Sequence, residues 1–386
     1  MRRRVSRGGA GALAIVAAAL ALAWDARAGA APDASPVGAY RLADGDLVAL
    51  VRSYGRLRLV DYGSGAFRGL RRLGPGLYAG GPGASVLRPT RVRVRLEPGG
   101  GIRVDGRPGR RLPLVAQTAI FADGLVRLVG RLLRPPGRGP FPAVAIVPGS
   151  ERAHRTSYDL WAYFFAAHGI AVLTYDKRGV GASGGRYDAA ATVGNLRRLA
   201  ADALAAVAWL RRQRLVDRRR IGLSGGSQAG WVIELAGARS PHVRWAALQS
   251  APAMSVGRQL AYAALTGSGW RSPPPSEREI AAGLAGVPDG GFDPRAAIAS
   301  LRIPVLWQLG AVDKRMYTPE TVADLRAVAA GGTHDFTLRV YPGGAHSLRL
   351  TAHGLIREER ASPGLAPGVF ADLAAWLRRR VLAPRR

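Results

Sequence analysis

The chain has 386 residues, enough for a sizeable core and for two domains, and 48% of them are hydrophobic, as in a globular protein. It contains no cysteine, which excludes disulfides, thiolate metal sites and a cysteine nucleophile. The formal net charge of +30 is almost wholly arginine, spread along the chain and not gathered in a basic segment with interleaved aromatics. No specific nucleic-acid partner is expected, only a non-specific pull toward anionic lipids or polyanions at low salt.

In chain order, residues 1–28 have the layout of a secretory signal peptide. Arg2-Arg3-Arg4 is a basic start, Gly11 to Trp24 is a short apolar run, and Ala26-Arg27-Ala28 is an A-x-A cleavage site. The apolar run is shorter than the ~20 residues a membrane span needs. Export to the periplasm or medium is expected, with the general and twin-arginine routes both open. Residues 29–36 form a linker. Residues 37–114 alternate apolar and polar positions, as in Val92-Arg93-Val94-Arg95-Leu96, between turns such as Pro98-Gly99-Gly100-Gly101. That is the pattern of a small antiparallel β-rich domain.

From about residue 116 the pattern predicts an α/β domain running to residue 386. A hairpin around Asp123-Gly124 comes first, then strands at Ala143–Val147 and Ile170–Tyr175 with a helix at Leu160–Ala167 between them. A long amphipathic helix at Asn195–Arg212 carries Leu196, Leu199, Ala203, Val207 and Leu210 on one face. Strands follow at Ile221–Ser224, Trp245–Gln249, Val305–Leu309 and Leu338–Tyr341, and a helix at Gly368–Leu382 closes the chain. Strands alternating with helices imply a mostly parallel sheet covered on both faces. Residues 252–300 interrupt the rhythm as a lid-like insertion with Pro273-Pro274-Pro275.

The stretch Ile221 to Val232, IGLSGGSQAGWV, has the layout of a nucleophile elbow, a sharp strand-to-helix turn that lifts a serine above a sheet. Two serines compete. Ser224 sits in the literal G-x-S-x-G of Gly222 to Gly226, but an elbow there leaves too short a strand and a Gly-Gly helix start. Ser227 leaves the strand intact, with a credible helix from Gln228 onward. A serine nucleophile needs a base and a carboxylate to orient that base, and on a parallel sheet all three lie beyond the carboxyl ends of strands. Asp313 follows the strand Val305–Leu309 and His346 follows the strand Leu338–Tyr341, whereas His334 and His242 precede strands. The order Ser227, Asp313, His346 results.

These residues, with Val147-Pro148-Gly149-Ser150 and the segment from Tyr175-Asp176-Lys177-Arg178-Gly179 to Gly184, resemble an α/β-hydrolase of the bacterial esterase, thioesterase and serine-aminopeptidase-like type. The β-rich region resembles the accessory region some members carry. The resemblance implies an oxyanion hole made by the backbone N–H groups of Ser150 and Gln228. It departs from the family at Pro148, where His is usual, and at Ala229, where Gly is frequent. It implies hydrolysis of a small-molecule acyl substrate, preferably an ester, with thioesters or short peptides as the alternative and a non-catalytic binding protein as the reading from another class. No cofactor or metal is expected. In the insertion, Tyr262, Leu265 and Trp270, with Leu260, either line an acyl pocket or pack the insertion onto the sheet.

Overall fold

The computed structural model describes residues 35–53 and 55–383. The segment read from sequence as a signal peptide and most of the expected linker lie outside the described residues. Eight antiparallel strands come first: β1 (Gly38–Leu42), β2 (Leu47–Ser53), β3 (Arg56–Asp61), β4 (Phe67–Gly74), β5 (Leu77–Gly80), β6 (Val92–Leu96), β7 (Ile102–Val104) and β8 (Arg107–Arg111). Each pairs with the next, and β1 pairs back onto β8, so the sheet closes into a barrel. The period-2 alternation explains both of its surfaces. Tyr40, Leu42, Val48 and Leu50 fill the barrel interior, while Ala39, Ala49 and Val51 point outward into a second core.

A second sheet is built from β9 (Val115–Asp123), β10 (Val126–Arg134), β11 (Phe141–Ile146), β12 (Ala171–Tyr175), β13 (Val216–Gly226), β14 (Ala246–Gln249), β15 (Val305–Gly310) and β16 (Phe336–Tyr341). Its spatial order is β9-β10-β12-β11-β13-β14-β15-β16. From β12 to β16 the neighbours are parallel, and the β9–β10 hairpin joins antiparallel through β10. Helices α1 (Asp159–Ala167), α2 (Val193–Arg211) and α3 (Ala229–Arg239) connect the first strands. Helices α4 (Val256–Leu265), α5 (Glu277–Leu284) and α6 (Arg295–Ser300) lie in the insertion. Helices α7 (Thr318–Ala330), α8 (Ile356–Ala361) and α9 (Val369–Leu377) complete the chain.

The amphipathic face read from the α2 sequence is the face that is buried, and Thr192 caps the helix by accepting from the Asn195 N–H. One face of the sheet packs against α2 and α3. The other packs against α1 and α9 through Phe164, Phe165, Phe370 and Trp376, and the outer wall of the barrel joins that core. Tyr62 is the hinge pin between them: its ring stacks edge-on against Phe370 at 4.9 Å and its hydroxyl donates to the Leu160 carbonyl at 2.7 Å. Gly222 has a packing reason, because a Cβ there would lie 2.1 Å from the buried Trp245 ring.

Glu234, midway along α3, is fully buried, and neither carboxylate oxygen has a hydrogen-bond partner in the protein. Burial pushes its carboxyl well above the usual range, so folding takes up a proton. The sign follows: its contribution is fully favourable below the ordinary glutamate range, near about pH 4, and is lost as pH rises from there toward the elevated folded value. Glu234→Gln should raise the melting temperature at about pH 8 by on the order of a few degrees and leave it unchanged near about pH 4. Equal effects at both pH values in a thermal melt would mean that the carboxyl is not protonated in the fold.

Candidate active site

The turn after β13 separates the two candidate serines. Ser224 is buried inside the strand and its hydroxyl donates to the Ala247 carbonyl of β14 at 2.8 Å. Ser227 stands half-buried at the turn with φ 57, the left-handed region that a residue with a side chain rarely adopts. Its N–H donates to the Gln249 carbonyl at 3.1 Å, and its carbonyl accepts from Gly230 at 2.8 Å. The neighbouring small residues let the chain turn this tightly. A Cβ on Gly226 would meet the Gln249 carbonyl at 2.7 Å, one on Gly225 the Val147 carbonyl at 2.7 Å, and one on Gly230 the Ala251 Cβ at 2.5 Å.

Asp313 follows β15 and His346 follows β16, both beyond the carboxyl ends of their strands, as Ser227 is beyond that of β13. The structure brings the acid and the imidazole together: His346 Nδ1 lies 2.8 Å from Asp313 Oδ2. With an ionised Asp313 the proton on Nδ1 is the donor, which leaves Nε2 as an acceptor. The other carboxylate oxygen of Asp313 accepts from the Arg315 and Met316 N–H groups at 2.7 and 3.0 Å. These bonds fix the buried carboxylate in one orientation.

The loop after β11 is held from three sides. The Gly149 N–H donates to the Tyr158 hydroxyl at 2.9 Å, and that hydroxyl donates in turn to the Glu151 carboxylate. Burial and the adjacent Glu151 keep the phenol protonated well beyond its usual range. Tyr187 donates to the exposed Ser150 through its carbonyl at 2.6 Å. Lys177 is buried, and its ammonium donates to the Gly149 carbonyl at 2.5 Å and to Gln228 Oε1 at 3.3 Å. Gln228, at the head of α3, is anchored on its far side by Nε2 donating to Ala189. Asp176 and Arg178 are structural in their bonding: Asp176 accepts from Arg155 and Ala182 N–H groups, and Arg178 bridges Asp202 and Asp123.

The insertion residues divide. Tyr262 is buried, stacks on Tyr317 at 4.9 Å and donates to the Asp313 carbonyl at 2.7 Å. Beside it, Thr266, which caps the C-terminus of α4, donates to the Lys314 carbonyl and Gln259 to the Arg315 carbonyl, both at 2.5 Å. Three successive carbonyls of the Asp313 loop thus rest on one helix. Leu265 packs beside Tyr262, Ile280 and Leu284 within the insertion. Trp270 is 62% exposed, with the Arg360 guanidinium 5.0 Å from its ring centroid. Leu260 is exposed on α4.

The His346 loop is tied to the barrel. Leu350 donates to Gly364 at 3.0 Å and Ala366 to Leu348 at 2.7 Å, which lays residues 362–366 along the loop as a strap. The strap then meets the barrel: Phe67 donates to Pro363 at 2.8 Å, Leu365 to Gly65 at 2.9 Å and Ala84 to Ser362 at 3.2 Å. Sequence reading missed Lys177, Gln259, Thr266 and this strap. One signal existed for Lys177: it is one of two lysines in a chain whose other cations are arginine. Among the described residues, no three His, Asp or Glu side chains gather as a metal would require.

Comparison with known proteins bears on this arrangement. Residues 123–267, from the end of β9 through α4, match the family model of the X-Pro dipeptidyl-peptidases (S15 family). The esterase FrsA of Enterobacter sp. (strain 638) is 37% identical over 75 residues, 19% of this chain and 18% of that protein. The esterase FrsA of Escherichia fergusonii is also 37% identical over 78 residues, 20% of this chain and 19% of its own length. The matched stretch therefore spans less than a fifth of either relative. Among solved structures, the esterase Pf2001 of Pyrococcus furiosus superposes with a TM-score of 0.51 at 17% identity, covering 70% of this chain and 94% of that one. Strand order and this superposition show the α/β-hydrolase fold, with a β-barrel ahead of its main sheet.

Proposed function

We propose that the chain is a serine hydrolase that cleaves carboxylic ester bonds of a small-molecule acyl substrate. Ser227 Oγ attacks the acyl carbon while His346 Nε2 takes its proton, and the backbone N–H groups of Ser150 and Gln228 receive the charge that develops on the carbonyl oxygen. The imidazolium, held by Asp313, returns the proton to the departing alkoxide. Water then attacks the acyl-Ser227 ester by the same steps in reverse. The observation that carries this reading is the pairing of a half-buried serine at φ 57 with an imidazole–carboxylate pair at the same end of the sheet. The esterase name of the relatives favours esters, and the match to the dipeptidyl-peptidase model keeps short peptides as the second reading. Initial rates on p-nitrophenyl esters, acyl-thioesters and aminoacyl-amides separate the two.

Ser227→Ala should lower kcat on the order of 10⁶-fold and abolish fluorophosphonate labelling. Ser224→Ala should keep most activity, because its hydroxyl is already spent inside the sheet. Wild-type kcat/KM should fall toward acid, since a protonated imidazole cannot accept the serine proton. A Ser227→Ala enzyme with full turnover would end the assignment.

The insertion supports the acid loop as well as any pocket. Tyr262→Phe deletes one bond to the Asp313 carbonyl and no apolar volume. It should lower kcat for acetyl, butyryl and octanoyl esters by one common factor of about 3–10, the scale of a single hydrogen bond. A changed ranking of the three esters would instead make Tyr262 a wall of the acyl pocket.

The same reading takes the chain as exported, supported by the basic, apolar and A-x-A segments of residues 1–28. N-terminal sequencing of the protein from its native host should begin at Gly29, and an intact Met1 would refute it.

A further inference from the structure

Lys177 is the one buried ammonium beside the reacting end of the sheet among the described residues, and the mechanism above makes no use of it. It leaves the carboxyl end of β12 with its N–H on the Ala153 carbonyl, so its stem is directed from a fixed point. Its head group meets the Gly149 carbonyl at 2.5 Å and Gln228 Oε1 at 3.3 Å, and the Tyr187 ring centroid lies 5.4 Å away. No carboxylate forms an ion pair with it among the described residues. A buried, unpaired charge is costly, and a chain that uses arginine almost everywhere else places a lysine here. The compact ammonium fits between one carbonyl and one amide oxygen, where a planar guanidinium fork would not.

We propose that Lys177 is a positioning residue of the oxyanion hole, acting through the Gly149–Ser150 peptide and the Gln228 side chain. The inference rests on the reading of Ser150 and Gln228 as the oxyanion donors. The carbonyl that Lys177 grips and the N–H of Ser150 belong to the same peptide unit. A cation on the carbonyl oxygen draws electron density toward it and makes that N–H a stronger donor, as hydrogen bonds in series polarise one another. The second grip, on Gln228, ties this loop to the head of α3. The two donors come from different elements, β11 and α3, and Lys177 holds both at once. Tyr158 and Tyr187 occupy the Gly149 N–H and the Ser150 carbonyl, so the remaining polar group of this peptide pair is the Ser150 N–H.

The charge is also titratable within reach of ordinary assays. Burial pushes the Lys177 ammonium down to about 8. The charged groups that face it are Glu151 on the gripped loop, Asp188 beyond Tyr187, and Asp202 on α2, whose own partner is Arg178; all three carboxylates oppose the shift. The Arg152 guanidinium lies 4.6 Å from the Tyr187 ring centroid, and Tyr158 is bonded to Glu151. The cation is present below the folded value and is lost as pH rises through it, so the strengthened oxyanion donor should be lost on the alkaline side.

The test is kcat and KM against pH on a p-nitrophenyl ester for wild type, Lys177→Met, Lys177→Arg, Gln228→Glu and Ser227→Ala, with melting temperatures. Wild-type kcat should decline on the alkaline side with a midpoint near 8. Lys177→Met should lower kcat at neutral pH by about 10- to 100-fold, below or at the loss from deleting an oxyanion donor outright, with KM within about twofold and the alkaline decline gone. Lys177→Arg keeps a charge that does not titrate but puts a fork where the site holds a compact ammonium, so its kcat should be lowered and should lack the decline. Gln228→Glu places a carboxylate against the ammonium and should move the midpoint upward. A Lys177→Met enzyme with a lowered kcat that keeps the alkaline decline would overturn the proposal, as would one with wild-type kcat. If Lys177→Met does not fold, Gln228→Glu decides: an unmoved midpoint overturns the proposal and an upward shift supports it. An active Ser227→Ala would instead overturn the underlying serine-hydrolase reading.

Discussion

A serine held at φ 57 costs about 1–3 kcal/mol of backbone strain, and the protein around the end of β13 is arranged to enforce it. The turn survives because the strands on either side leave no alternative. Gly225, Gly226 and Gly230 are pressed against Val147, Gln249 and Ala251 so closely that a single Cβ at any of the three would displace backbone or a packed methyl. The Ser227 N–H on the Gln249 carbonyl then fixes the residue from the β14 side. Everything that faces the serine inherits its position from this junction, since β11 and β14 flank β13 and carry the next loops.

Each loop around the serine is held by a different part of the chain. The Asp313 loop rests on the insertion through Gln259 and Tyr262 on α4 and Thr266 at its C-terminal cap. The His346 loop rests on the strap and, through it, on the barrel. The loop after β11 rests on Tyr158, Tyr187 and Lys177. Loops are the mobile parts of a fold, and reactive geometry tolerates little error. The two segments that look like additions to the basic sheet are thus its outer scaffolding at the two loops that carry the acid and the imidazole.

Much of this was legible in the sequence because it is written locally. The period of the α2 face, the alternation in the barrel strands, and the strand ends that precede Asp313 and His346 all depend on residues a few positions apart. The elbow needed one more physical step, since the literal motif pointed to Ser224, and strand length together with the Gly-Gly helix start it would require favoured Ser227. What could not be read is what depends on distant pairing. Closure of the barrel requires β1 to find β8, as Arg41 finds Arg110, and no local pattern encodes that. Helix α7 fell between two strands, and α8 after the last of them, without a clean apolar period. Tyr262 read as apolar surface, either for a pocket or for packing the insertion, because sequence shows a ring and not the carbonyl under its hydroxyl. Lys177 was hidden for the same reason: its partner is a main-chain oxygen 28 residues away.

The seam between barrel and strap is stitched by main-chain hydrogen bonds. A Cβ on Gly364 would lie 2.2 Å from the Gly65 carbonyl, and one on Gly83 would lie 2.1 Å from that of Ala361, so no side chain fits at those two points of the seam. Such a joint is indifferent to most substitutions in the residues around it and unforgiving of changes in length. The distance from Tyr341 through His346 to Leu365 is, in effect, a ruler marked in residues, read off against the turn at Gly65. Adding or deleting one residue between Tyr341 and His346 would carry the imidazole one notch out of register with the carboxylate, even though every atom of the pair remained.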